Sequence, residues 1–225
     1  MSFVRHFKDL RYRLFYGALM RRNCKILSLG NRDTCCSWNF CPDGLNAQSV
    51  VYSGGVGRDT SFEHGLVQQF GCSVVLMDPS PTGKETMALP LNLIPEFKFL
   101  PVGLAGSCGT LKLAPPKYPE EGSWFKHAGD ENTIEVSCED LATVMKKNGH
   151  RQIDLLKIDI EGAEYEVLDS LLEKRLPVKQ VLVEFHHDIL PGIARRKTVR
   201  MILKMVACGY KLLNQDGSNH TFLRR

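Results

Sequence analysis

LLKIDIEGAEYEVL, residues 155–168, is the stretch whose reading decides the fold. The run Ile153–Ile160 is apolar enough for a buried strand, with Asp159 at its end and Glu161 just past it. Gly162 then breaks the strand, and Ala163–Lys174 carries apolar residues at helical spacing. Acids at the carboxyl end of a buried parallel strand lie where open α/β sheets bind ligands. Glu161 and Glu164 also have a plainer use, because carboxylates near a helix N-terminus complement its dipole.

Outward from that unit the chain alternates. Strands are predicted over Ser49–Ser53, Ser73–Met77, Phe97–Leu104 and Val178–Phe185. Helices are predicted over Ser61–Phe70, Lys84–Leu93, Glu139–Lys147 with Ser137 as N-cap, and Ala194–Cys208 closed by Gly209. Gly109–Leu113 reads as an extra hairpin strand. Tyr210–Asn214 and His220–Leu223 read as a closing hairpin around Gln215–Asn219. Such alternation implies an α/β fold with a mostly parallel sheet, helices on both faces and one antiparallel strand. A chain of 225 residues has room for one full core. The expected division is 1–48, a helical and loop extension packing on the core, and 49–225, the main domain.

Residues 2–22 place Phe3, Phe7, Leu10, Leu14, Phe15 and Leu19 at helical spacing among six arginines and lysines. A basic amphipathic helix can lie on a membrane; the reading preferred here is that its apolar stripe packs on its own domain. No apolar run reaches membrane-spanning length and no secretory h-region opens the chain, which predicts a cytoplasmic protein. The net charge of +4, without a basic run interleaved with aromatics, argues against a nucleic-acid partner. Eight scattered cysteines predict reduced thiols, and Cys35, Cys36 and Cys41 lack the partner pair a structural zinc would need.

Tyr52–Asp59, YSGGVGRD, supplies a glycine turn between a strand and a helix, where Gly54, Gly55 and Gly57 let backbone N–H groups approach an anionic ligand. Asp78, followed by Pro79, stands 21 residues after Gly57 at the end of the next strand. An acid there takes ribose hydroxyls. Turn and acid together fit either a nicotinamide cofactor or S-adenosylmethionine. Thr60 in place of the last glycine of G-x-G-x-x-G, and the closing hairpin, favour the second.

LLKIDIEGAEYEVL, with VLVEFHH at 181–187, resembles the FkbM-type methyltransferase family, and VYSGGVGRDTSFE resembles a methyltransferase-like branch of it. The resemblance runs from about Ser49 to Phe185. It implies a Rossmann-like class I fold with a mostly parallel seven-stranded sheet, and an S-adenosylmethionine-dependent methyltransferase. It further implies that Gly55, Gly57 and the turn hold the methionine end, Asp78 the ribose, and Gly103 and Leu104 the adenine. Ser53 departs from the family pattern, which has an acid there, and Asp59 replaces its third glycine; Asp59 is expected to help at the methionine end.

For the chemistry the candidates are Asp159, Glu184, His186 and His187 at two adjacent strand ends. Either a histidine is the general base, or Asp159 and Glu184, with a histidine, hold Mg2+. Trp124, Phe125 and His127, in a long polar segment, are expected to line an acceptor site. The expected reaction is O-methyl transfer to a small molecule, sugar or lipid by a monomer or homodimer. The rivals are a nicotinamide-dependent oxidoreductase and a non-catalytic binding module on the same fold.

Overall fold

A computed structural model describes residues 14–21, 24–116, 122–126, 132–187 and 195–224. Its main sheet has seven strands in the order β12-β13-β11-β10-β3-β4-β5. They are β3 (Val50–Gly54), β4 (Ser73–Met77), β5 (Phe97–Leu100), β10 (Ile153–Ile158), β11 (Val178–Glu184), β12 (Lys211–Asp216) and β13 (Asn219–Leu223). Only β13 opposes the rest, pairing antiparallel with both β11 and β12. Helices α1 (Ser61–Phe70), α2 (Pro81–Met87), α3 (Leu141–Asn148), α4 (Glu164–Glu173) and α5 (Arg195–Ala207) connect the strands. Apolar clusters cover both faces of the sheet, and every residue of β10 is buried, as a central parallel strand requires.

The strand order reverses between β3 and β10. From β3 the chain moves outward through β4 and β5, then returns to lay β10 on the other side of β3. Such a switch point leaves a crevice at the carboxyl ends of the strands. Gly54 lies beside Ile158 in register, and the Asp159 N–H donates to the Gly54 carbonyl at 2.9 Å. The glycine turn and the acidic motif therefore meet at that crevice.

A second sheet orders β6 (Gly103–Ala105), β9 (Ile134–Asp140), β7 (Gly109–Ala114) and β8 (Phe125–Lys126). Three expectations change here. The strand expected over Phe97–Leu104 divides at Pro101, which has no N–H to continue a ladder, so its second half joins the other sheet. Residues 134–140 are strand, with alternating burial, and the next helix begins at Leu141, capped by Asp140 accepting from Thr143 N–H at 2.7 Å rather than by Ser137. The helix expected over Lys84–Leu93 runs instead over Pro81–Met87, with Ser80 as N-cap and Pro81 in its first turn, followed by a short 3-10 turn at Pro90–Asn92.

Within the N-terminal extension, β1 (Leu27–Leu29) and β2 (Trp38–Phe40) form a hairpin whose Trp38 and Phe40 rings pack on Phe62 of α1. Residues 14–19 are helical. Phe15, Tyr16, Leu19 and Met20 pack against the core, and Tyr16 is hydrogen-bonded to His220 at 2.9 Å. Phe15 and Leu19 of the amphipathic segment thus pack on their own domain while Leu14 is exposed; the part over 2–13 lies outside the described residues. Among the described residues no helix is long and apolar enough to cross a membrane.

Candidate active site

A cleft of about 550 Å³ opens at the switch point. One wall is the turn after β3. Gly55 has φ +87°, and a Cβ there would sit 1.7 Å from the Asp159 carbonyl oxygen, so its glycine is demanded by the close approach of β10. Gly57 has φ +58° with open space where a Cβ would be. The N–H groups of Val56 and Gly57 donate to one oxygen of Asp78, at 2.9 and 3.1 Å, and Ser80 N–H donates to the other at 2.8 Å. Asp78 thus anchors the turn from within, and its Oδ1 keeps a second lone pair. A Cβ on Gly83 would collide with the Asp78 carboxyl carbon at 2.2 Å, which explains a glycine inside α2.

Asp59 lines the cleft with its carboxylate already engaged inside the fold. Its carboxylate accepts from Ser61 N–H at 2.7 Å and from the Thr34 hydroxyl at 2.6 Å, linking the extension to α1. Burial opposes its charge, but the Ser61 and Thr34 bonds and the nearby Lys157 hold its carboxyl below the usual range. Ser53 is fully buried and donates from Oγ to Glu63 Oε1 at 2.5 Å. The Lys157 ammonium lies 3.6 Å from that same oxygen and donates to the Gly55 carbonyl at 2.7 Å. Burial pulls Lys157 down, yet Glu63 and Asp159 outweigh it and raise its pKa.

Opposite the turn, the ends of β10 and β11 gather acids around one imidazole. His186 Nδ1 meets Glu164 Oε1 at 2.6 Å, and Nε2 lies 3.1 Å from Glu161 and 3.8 Å from Asp159. Burial alone would lower its pKa; the three carboxylates drive it up to about 10, so the ring is an imidazolium at neutral pH. Both Glu164 oxygens also accept from Gly162 N–H, at 3.0 and 3.1 Å. Glu161 reaches His186 from a left-handed backbone, φ +50°, uncommon for a residue with a Cβ. Burial, then the neighbouring Asp159, pushes Glu184 up to about 7. Asp159 and Glu161 are raised as well, in each case chiefly by burial.

The cleft brings together most of the residues singled out from the sequence: Gly55, Gly57, Asp59, Asp78, Pro79, Gly103, Leu104, Trp124, Asp159, Glu184 and His186 all line it. Trp124 donates from its indole to the Thr82 hydroxyl at 3.2 Å. Phe125 pairs with Ala114 in the second sheet and is not among the lining residues, and His127 lies outside the described residues. His187 is directed elsewhere, accepting from Arg195 at 3.2 Å, and does not line the cleft. Glu63 and Lys157 were not singled out. Lys157 carried a signal, a cation near the end of a buried strand; Glu63 carried none beyond being an acid in a helix's first turn.

The methyltransferase FkbM domain family matches residues 42–212. No curated protein matches the chain. Among solved structures it is similar to monomeric WbdD, at 11% identity and TM-score 0.45, covering 78% of this chain and 36% of that one. It is also similar to M. capricolum TrmK in complex with S-adenosyl-homocysteine, at 10% identity and TM-score 0.42, covering 80% and 62%. A third is the N-terminal domain of human METTL16, at 10% identity and TM-score 0.43, covering 78% and 60%. The chain spans less than two thirds of the length of each.

Proposed function

The chain belongs to the FkbM methyltransferase family, a family of S-adenosylmethionine-dependent enzymes, and on that premise we propose that it methylates a hydroxyl oxygen of a small-molecule, sugar or lipid acceptor, with Glu184 as the base. Family membership favours methyl transfer over nicotinamide chemistry and over a scaffold without activity.

The residues of the cleft fit the cofactor. Leu104, Leu111, Leu113 and Trp124 give an apolar wall suited to a purine, Asp78 retains a lone pair for a ribose hydroxyl, and Gly57 leaves its side of the turn open. When bound, S-adenosylmethionine supplies a methyl group on a sulfonium, open to in-line displacement. The protein's part is to orient the acceptor and receive its proton.

One observation carries the choice of base. Glu184 lines the cleft with a pKa near the operating pH, whereas His186, the base first considered, is held protonated between Glu164 and Glu161. His186 acts as a fixed positive pivot that keeps the acids in place. The reaction should speed up as pH rises through about 7, where Glu184 becomes the carboxylate.

A second reading has support of its own. Asp159, Glu184 and His186 each offer a ligand atom within 4.8 Å of the others, and hard carboxylates suit Mg2+. His186 would then have to give up the proton it shares with two carboxylates, which weighs against it as a ligand. The test is a screen of hydroxylated acceptors with methyl-labelled cofactor, run with chelator and with added Mg2+. The base reading expects turnover insensitive to chelator and cut by about 100-fold or more in Glu184→Gln. Turnover abolished by chelator and restored by Mg2+ would install the metal reading. Label found on nitrogen or carbon would overturn oxygen as the target.

A further inference from the structure

We infer that Glu63 on α1, rather than residue 53 on β3, is the anion that receives the ammonium group of the cofactor's amino-acid end; this rests on the S-adenosylmethionine reading above. Glu63 is 1% exposed and Lys157 5%, so the pair is enclosed by protein on all sides but the cleft it lines. The two oxygens of Glu63 differ sharply. Oε1 takes the Ser53 hydroxyl and faces the Lys157 ammonium. Oε2 is buried and has no hydrogen-bond donor among the described residues. A buried carboxylate oxygen left empty is costly, and groups of this kind are normally satisfied.

Among the described residues none supplies the missing donor, and the open side of Glu63 is the cleft it lines. Glu63 lines the same cleft as Gly55, Val56 and Gly57, the turn expected to hold the methionine end, and Lys157 links it to the Gly55 carbonyl. The donor that best meets a buried carboxylate there is a compact cation with several N–H bonds, a primary ammonium. The serine at 53 is part of the same arrangement. Its short side chain leaves room for a longer carboxylate reaching across from the helix and holds that carboxylate in place through Oγ. The acid lost from the strand is thereby restored from α1, in contact with the residue that replaced it.

The experiment is calorimetric titration with S-adenosylhomocysteine and with its analogue lacking the α-amino group. The natural chain should prefer the amine-bearing ligand by about tenfold or more, the worth of one charge-assisted hydrogen bond. Glu63→Gln should bind both with the same, weaker affinity. Ser53→Asp added to Glu63→Gln should restore the preference, because the carboxylate then returns to the strand beside Lys157. Equal binding of the two ligands by the natural chain would overturn the inference while leaving the cofactor reading intact, as would a Glu63→Gln protein that keeps the preference. Binding of neither ligand by the natural chain would bring down both. The ligand comparison on the natural chain needs no variant to fold.

Discussion

Around the turn after β3, polar groups find partners inside the fold. Val56 and Gly57 donate to Asp78, Asp59 ties α1 to the extension, and Ser53 and Lys157 meet at Glu63. Across the cleft, at the ends of β10 and β11, Asp159, Glu161, Glu164 and Glu184 share one imidazolium, and three of these acids have raised pKa values. The first wall is tied together by hydrogen bonds within the fold and leaves one oxygen of Glu63 to the cleft, as binding a fixed ligand portion requires. The second holds protons near the point of transfer, as proton-handling chemistry requires. Both are products of one topological fact, the reversal of strand order between β3 and β10.

The comparison breaks most visibly at Gly55. Replacing it with alanine drives a Cβ into the Asp159 carbonyl at a backbone angle alanine disfavours, so the turn and β10 must separate. Unfolding in urea should show a loss of more than about 4 kcal/mol, the range of severe core disruption; an unchanged midpoint would mean the two walls are not locked together there.

A smaller effect separates the walls by pH. The folded pKa of His186, about 10, lies above the ordinary 6.5. Its stabilisation is therefore complete below about pH 6.5 and is lost as pH rises through about 10. Thermal unfolding temperatures should fall across that window, and His186→Gln should flatten the slope. A slope unchanged in the variant would show that the imidazolium does not anchor the acidic rim.

The smallest effect sharpens the contrast within the turn itself. Gly57→Ala meets no neighbouring atom and bears only the left-handed backbone cost, about 1 kcal/mol. The two glycines of one motif thus differ in kind: one is fixed by packing, the other only by backbone angle.

Much of this was legible in the chain. The LLKIDIEGAE unit, the glycine turn and Asp78 all fall at the crevice, and the closing hairpin contributes the single antiparallel strand. The reason is that each is a local pattern, an apolar run ended by a breaker. What escaped was set by contacts across the fold. The helix expected from Glu139 with Ser137 as its cap begins instead at Leu141, because residues through Asp140 pair as a strand in the second sheet, a contact no local pattern shows. Glu63 meets Ser53 and Lys157 through the phase of α1 over β3 and β10, which no spacing rule encodes. His186 looked like a base because a lone histidine titrates near neutrality. Its partners Glu161 and Glu164 lie more than 20 residues upstream and change that.

The division of labour between the two walls is tested most directly by the affinity for S-adenosylhomocysteine of Asp78→Asn and of Glu184→Gln, measured side by side with the natural chain by calorimetry. Asp78→Asn should bind about tenfold or more weakly, having lost a charged acceptor, while Glu184→Gln should stay within about twofold. Weakening in Glu184→Gln as large as in Asp78→Asn would contradict the account, because the acidic rim would then hold the cofactor rather than serve the acceptor.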